Sequence, residues 1–391
     1  MSMEKTLSKT FWANLLIALC GILWFVGFAS NSVFGQTYNI LSTTKTLITV
    51  ALLALLLFRS TSFKVNLGGV LAVVAIIYII FYNELKNDKA ILDYLWVWFI
   101  IPIVSSFPLE KMQMKWISLL FGAFSFFVLF VGNVTDIFIG WDGNSVSLIQ
   151  FFSYAIFMSA FTDVKNKKTI RNLVMFSIFY LLMLNTFHSR GAILFSMVML
   201  LCTISIIPVK KLLRKDLIII VLLIPLIIAV FITNINDFTF VERINDWSLE
   251  TFQKPIFNGR DEIWELGWRV WWRSPFVGNG NFALADYFHN NAVAILVASG
   301  SIGYYLLIST IYKILTKGLA WLDDSVVRGL TTAFLVIWIQ QSVEKGLISS
   351  KPNIIPYLIL GLLCARINTL EGKNGKRINN SSGVQYRKLS S

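Results

Sequence analysis

Apolar runs long enough to cross a bilayer recur along nearly the whole chain, and this constrains its fold more than any other feature. Each run, placed in hydrocarbon, can close its own backbone hydrogen bonds only as a helix. Charged residues make up 14% of the 391, against roughly 25% in a soluble domain, and the mean hydropathy is +0.69. Lipid is therefore the main solvent, and an all-α polytopic membrane protein is expected.

The pattern predicts twelve transmembrane helices, at 11–29, 40–58, 67–82, 91–108, 116–133, 146–162, 172–188, 191–209, 216–233, 290–312, 329–345 and 353–368. The net charge of +13 raises the question of nucleic acid, and the placement of the charges answers it. With a cytoplasmic N-terminus, 23 of the 34 basic residues fall in inner loops or at inner helix ends. That bias is the positive-inside signal of a membrane protein and gives no reason to invoke a nucleic-acid partner. Both termini are expected in the cytoplasm. The first apolar run follows Lys5 and Lys9 like a signal peptide, but its length favours a retained helix. Cys20, Cys202 and Cys364 all fall inside predicted spans and read as ordinary buried thiols.

Most connections are short, which makes residues 1–368 one helical domain of antiparallel neighbours. Residues 369–391 read as a flexible, basic cytoplasmic tail near anionic lipid. One connection is exceptional: residues 234–289 form a large outward, periplasmic loop, and loops of that length are commonly functional. Within it, Asn258 is a possible N-cap for an amphipathic helix carrying Asp261 and Glu262 in its first turn, and Pro275 stops that helix. Trp264, Trp268 and Trp271 share one face, while Glu265 and Arg269 form an i, i+4 ion pair on another. Such a helix either lies among lipid head groups or docks on the bundle. The turn-rich stretch Pro275–Gly280 then leads back to the next span.

Both histidines of the chain, His188 and His289, fall at outward helix ends. A histidine titrates near neutrality and can serve as a base, although a lone interfacial histidine is more often a polar anchor. Their neighbours add weight to the chemical reading. His188-Ser189-Arg190-Gly191 interrupts apolar sequence at the outer boundary, where Arg190 is costly unless it meets an anion or snorkels to lipid phosphate. Arg260 lies in the long loop. His289-Asn290-Asn291 opens the tenth span, either as a capped helix entry or as an imidazole presented to a hydroxyl.

The ordered series Ser189-Arg190-Gly191-Ala192, Asn258-Gly259-Arg260 with Trp264, Pro275 to Gly280, His289-Asn290, then Gly300 and Gly303, resembles the O-antigen ligase and polymerase superfamily. The resemblance implies a metal-independent inverting glycosyltransferase, without cofactor, that uses a glycan linked to undecaprenyl diphosphate. The acceptor is the lipid A core or a second glycan. It assigns Arg190 and Arg260 to the diphosphate and His289 to the acceptor hydroxyl. Fixed guanidiniums can stabilise a leaving diphosphate without a metal, and the outer loops hold no carboxylate cluster with metal-ligand spacing. Ser189, Asn258, Asp261, Trp264, Arg269 and Asn290 join His188 as substrate-binding candidates. Ligation of O-antigen in lipopolysaccharide biosynthesis is the leading expectation, with polymerisation of O-antigen, capsule or exopolysaccharide repeats as the close alternative. A lipid-linked glycan flippase or secondary transporter is the rival of another class. It calls for ionisable residues at mid-membrane, whereas most charges here sit at helix ends.

Overall fold

The structure is a computed structural model. It describes residues 98, 100–134, 143–162, 164–187, 189–235, 238–252, 257, 259–280, 284, 286–344, 347 and 353–388, the stretch 375–388 through its backbone alone. Ten helices organise them, with no strand among the described residues: α1 (Lys111–Val134), α2 (Gly143–Ser159), α3 (Lys167–Leu184), α4 (Arg190–Thr203), α5 (Lys215–Ile235), α6 (Thr239–Phe252), α7 (Arg260–Trp272), α8 (Asn291–Leu319), α9 (Ser325–Gln340) and α10 (Ile354–Lys388). A four-residue helical turn, Val209–Leu212, precedes α5. Helices α1, α5, α8 and α10 are each long and apolar enough to cross a membrane; α2, α4 and α9 are shorter apolar helices.

Each of the eight spans expected from 116–133 onward coincides with one of these helices. Of the expected span 91–108, residues 100–105 are described and helical. The three expected spans before it lie outside the described residues.

Two expectations change. The 234–289 connection holds a further helix, α6, ahead of α7. The supposed flexible tail continues α10 as helix to Lys388. Its first turns are tied down by side-chain bonds: Thr369 Oγ1 accepts from Leu109 N at 2.9 Å, Lys373 Nζ lies 2.8 Å from Glu110, and Lys317 Nζ lies 3.1 Å from Glu371.

Helices α2, α4 and α9 pack on one another, α10 packs on α9, and α5 packs on α8. Helix α7 docks across α5 and α8, which decides between its two expected placements. Trp264 is fully buried, and a Cβ on Gly267 would meet Val293 Cγ1 at 2.4 Å. The tryptophan face is thus spent on the bundle, while Glu265 and Arg269 form their expected pair, at 3.9 Å and largely exposed.

Helix α8 is broken at Gly300 (φ 66°, ψ −172°), and the loop after α7 fills the break. Ser301 N and Ile302 N donate to the carbonyls of Pro275 (2.9 Å) and Phe276 (3.1 Å). In return, Asn279 N and Gly280 N donate to Val297 O (2.8 Å) and Ala298 O (2.9 Å). The chain therefore trades four backbone bonds between loop and helix and leaves none of these groups unpaired. A Cβ on Gly300 would sit 2.3 Å from Phe276 O, in a backbone region that only glycine visits readily. Gly300→Ala is expected to cost about 3 kcal/mol or more, seen as a lower thermal unfolding midpoint in detergent; an unchanged midpoint would show that the loop yields freely.

Candidate active site

The turn that ends α9, residues 341–344, is where the site residues meet. Asn291 N donates to Gln341 O and Asn291 Nδ2 to Gln341 Oε1, both at 3.0 Å. Asn290 Nδ2 donates to Ser342 O at 2.8 Å and to Pro225 O of α5 at 3.0 Å. Glu344 then reaches two expected site residues at once. Its Oε1 accepts from Arg260 Nη2 at 3.0 Å, and its Oε2 lies 3.8 Å from His289 Nδ1. Glu344 was not among the residues expected from sequence.

His289 occupies a constrained link between the 3₁₀ turn Asp286–Phe288 and α8, with φ +47°. Both its neighbours are pinned. Phe288 is fully buried, and its carbonyl accepts from the Trp264 indole at 2.6 Å. Asn290 is also buried and caps α8 through Ala292 N (2.8 Å) and Val293 N (3.2 Å), the capping role its position suggested. A left-handed backbone costs a non-glycine residue roughly 1–3 kcal/mol and persists only where its surroundings impose it. The imidazole is 40% exposed, yet its Nδ1 is buried and has no hydrogen-bond partner. The open edge of the ring is therefore the Nε2 edge.

Arg260 begins α7 immediately after Gly259, whose φ of +74° turns the chain into the helix. The cap position thus falls to Gly259 and not to Asn258, which lies outside the described residues, as does His188. Asp261 stands in the first turn of α7.

Arg190 begins α4 and is exposed, while Ser189 before it is buried with its carbonyl bonded to Ile193 N at 3.1 Å. Among the described residues Arg190 has no ion pair. A Cβ on the adjoining Gly191 would lie 4.0 Å from Val343 Cγ2, so the start of α4 packs beside the turn that carries Glu344. The fold therefore gathers Arg260, His289 and Asn290 at the end of α9, with the backbone of Gly191 next to them. Trp264 supports that arrangement from within the core, and Arg269 pairs with Glu265 on the exposed face of α7.

Beside this cluster runs a groove of about 540 Å³ bounded by α5, α7 and α8. Leu226, Val230, Trp268, Trp271 and Leu296 give it an apolar wall, and Tyr304 lines it from beyond the break in α8. Among the described residues no group of three His, Cys, Asp or Glu side chains is placed to hold a metal ion.

Residues 173–308 match a family model described as O-antigen ligase. The matched stretch contains Arg190, Arg260 and His289 and ends before Glu344. No curated protein and no solved structure matches the chain.

Proposed function

Residues 173–308 belong to the O-antigen ligase and polymerase superfamily, and on that premise we propose that the chain is an O-antigen ligase, an inverting glycosyltransferase that draws its glycan from an undecaprenyl diphosphate carrier. The observation that carries the reading is the convergence of Arg260 and His289 on Glu344, beside the exposed Arg190. That convergence supports reading His289 as the base and Arg260, with Arg190, as the diphosphate ligands.

In the proposed reaction, His289 Nε2 takes the proton of an acceptor hydroxyl. The freed oxygen bonds to the anomeric carbon of the donor. On the opposite face the bond from that carbon to the phosphate oxygen breaks, and undecaprenyl diphosphate leaves with the electron pair. Arg190 and Arg260 meet the charge that develops there, in the bidentate geometry that a guanidinium offers to phosphate oxygens. Glu344, 3.8 Å from Nδ1, offsets the charge that the imidazole gains and closes to hydrogen-bond distance as the ring is protonated. The neighbouring apolar groove suits an isoprenoid tail.

The test is reconstitution with an undecaprenyl-diphosphate-linked glycan and, in parallel, either lipid A core or a second donor molecule. Glycan joined to the core supports ligation. Lengthening of the donor glycan alone would replace that reading by polymerisation, and translocation without covalent transfer would reject both. Arg190→Ala is expected to lower kcat/KM about thirtyfold, the value of one charge-assisted hydrogen-bonding partner; unaltered kcat/KM would remove Arg190 from the diphosphate site.

A further inference from the structure

The bundle carries a second polar cavity at the end away from Glu344. Helices α4 and α9 both run between the two ends, and the 16 residues of α9 span about 24 Å. The cavity, about 470 Å³, is lined by Lys165, Lys210, Lys211 and Arg328, with Asp323 the only carboxylate among the described lining residues. Four cations thus surround one acid.

The arrangement is partly fixed in advance. Arg328 is half-buried, its guanidinium held by the carbonyls of Leu322 (2.6 Å) and Thr162 (3.4 Å). Ser205, which also lines the cavity, sits at φ +64°, where the chain leaving α4 turns back toward Pro208. Lys210 is bonded to Asp323 at the exposed rim. The hydrogen bond and charge of Lys210, with a smaller effect of the Arg328 charge, hold the Asp323 carboxyl below the usual carboxylate range, so the rim carboxylate stays charged. Exposed apolar side chains, Ile206 and Leu212, follow lining residues along the same segment.

We propose that this pocket binds a phosphate group, supplied by the head group of an acidic phospholipid. The cations match a phosphate oxyanion, Asp323 holds Lys210 until that anion displaces it, and Ile206 and Leu212 adjoin the place where acyl chains would run. Basic pockets between membrane helices are a recurrent way of holding such head groups.

Native mass spectrometry of the full chain in neutral detergent, titrated with phosphatidylglycerol and with phosphatidylcholine, tests this. Selective retention of phosphatidylglycerol is expected. Lys165→Gln with Lys211→Gln leaves the Lys210–Asp323 pair intact and should weaken retention about 25-fold, near fivefold for each lysine. Asp323→Asn should tighten it. Inorganic phosphate is the competing arm: displacement of the lipid at millimolar concentration would identify a phosphate site fed from solution, and failure to displace supports the lipid as source. Equal retention of the two lipids, or retention unchanged in the double lysine variant with its elution profile intact, would overturn the proposal.

Discussion

His289→Ala is expected to slow glycan transfer by about a thousandfold, within the range that a positioned general base contributes, and Glu344→Gln by at least about a hundredfold. The two residues should fail together. If Glu344 acts by orienting the imidazole, the double variant transfers no more slowly than His289→Ala alone, because residues acting as a unit give non-additive losses. Glutamine keeps the shape of the side chain but gives up its charge, so any further slowing of the double variant below His289→Ala reads the separate loss of the Arg260 ion-pair partner. Glu344→Asp should restore part of the rate. Initial rates in the reconstituted assay decide the matter: full activity of Glu344→Gln would reduce Glu344 to a structural tether, and full activity of His289→Ala would end the base assignment.

Asp324→Asn is expected to lower stability by about 3 kcal/mol, the low end of the cost of breaking a buried ion pair, because Arg366 keeps a second carboxylate, Glu110, within 3.4 Å. Asp324 meets Arg366 bidentately, at 2.8 and 3.2 Å, while also capping α9 through Val326 N and Val327 N. Arg366 is 3% exposed; it keeps a bond to Leu109 O at 2.9 Å and a longer ion pair, 3.4 Å, with the more exposed Glu110, which offsets part of the lost charge. Burial is the largest single influence on the Asp324 carboxyl and opposes its ionisation. The hydrogen bond and charge of Arg366, the Val327 amide and the Lys111 charge together outweigh it and hold the group below its ordinary range. A depressed carboxylate contributes its stability in full above the unfolded value, near pH 4, and loses it as pH falls through the folded value. The gap in unfolding midpoint between wild type and Asp324→Asn should therefore stay constant from about pH 8 to 5 and narrow below about pH 4. A gap that does not change with acid would mean the carboxylate acts only as a cap.

The helices from α1 onward were legible because bilayer-length apolar runs leave the backbone little choice. Helix α6 was not: it is too polar to span, and three of its large apolar side chains, Phe240, Trp247 and Leu249, stay exposed, so no buried stripe marks it. Arg190, Arg260 and His289 stood out because charge and imidazole are scarce beside apolar spans. Glu344 did not stand out, since an acid next to Lys345 at a helix end looks like any solvated loop pair. Its meaning lies in tertiary convergence with Arg260, 84 positions away. The nearest local signal was Gln340-Gln341, two amides closing an otherwise apolar helix. In the same way Gly278 and Gly280 were visible in a turn-rich stretch and Gly300 inside an apolar span, but nothing in their spacing says that they fit into one another.

That fit has a consequence for how the protein is made. The first third of α8, from Asn291 to Gly300, is about 14 Å long, so residues 275–280, paired with its end, reach well into the bundle. A ribosome completes that segment before it begins α8. The helix then enters the bilayer with Val297 and Ala298 short of donors and Ser301 and Ile302 short of acceptors until the earlier segment is threaded against it. Membrane insertion of α8 and burial of the preceding loop are on this account one event, and His289, which lies between the two in the chain, is translated before either partner of that pairing is in place.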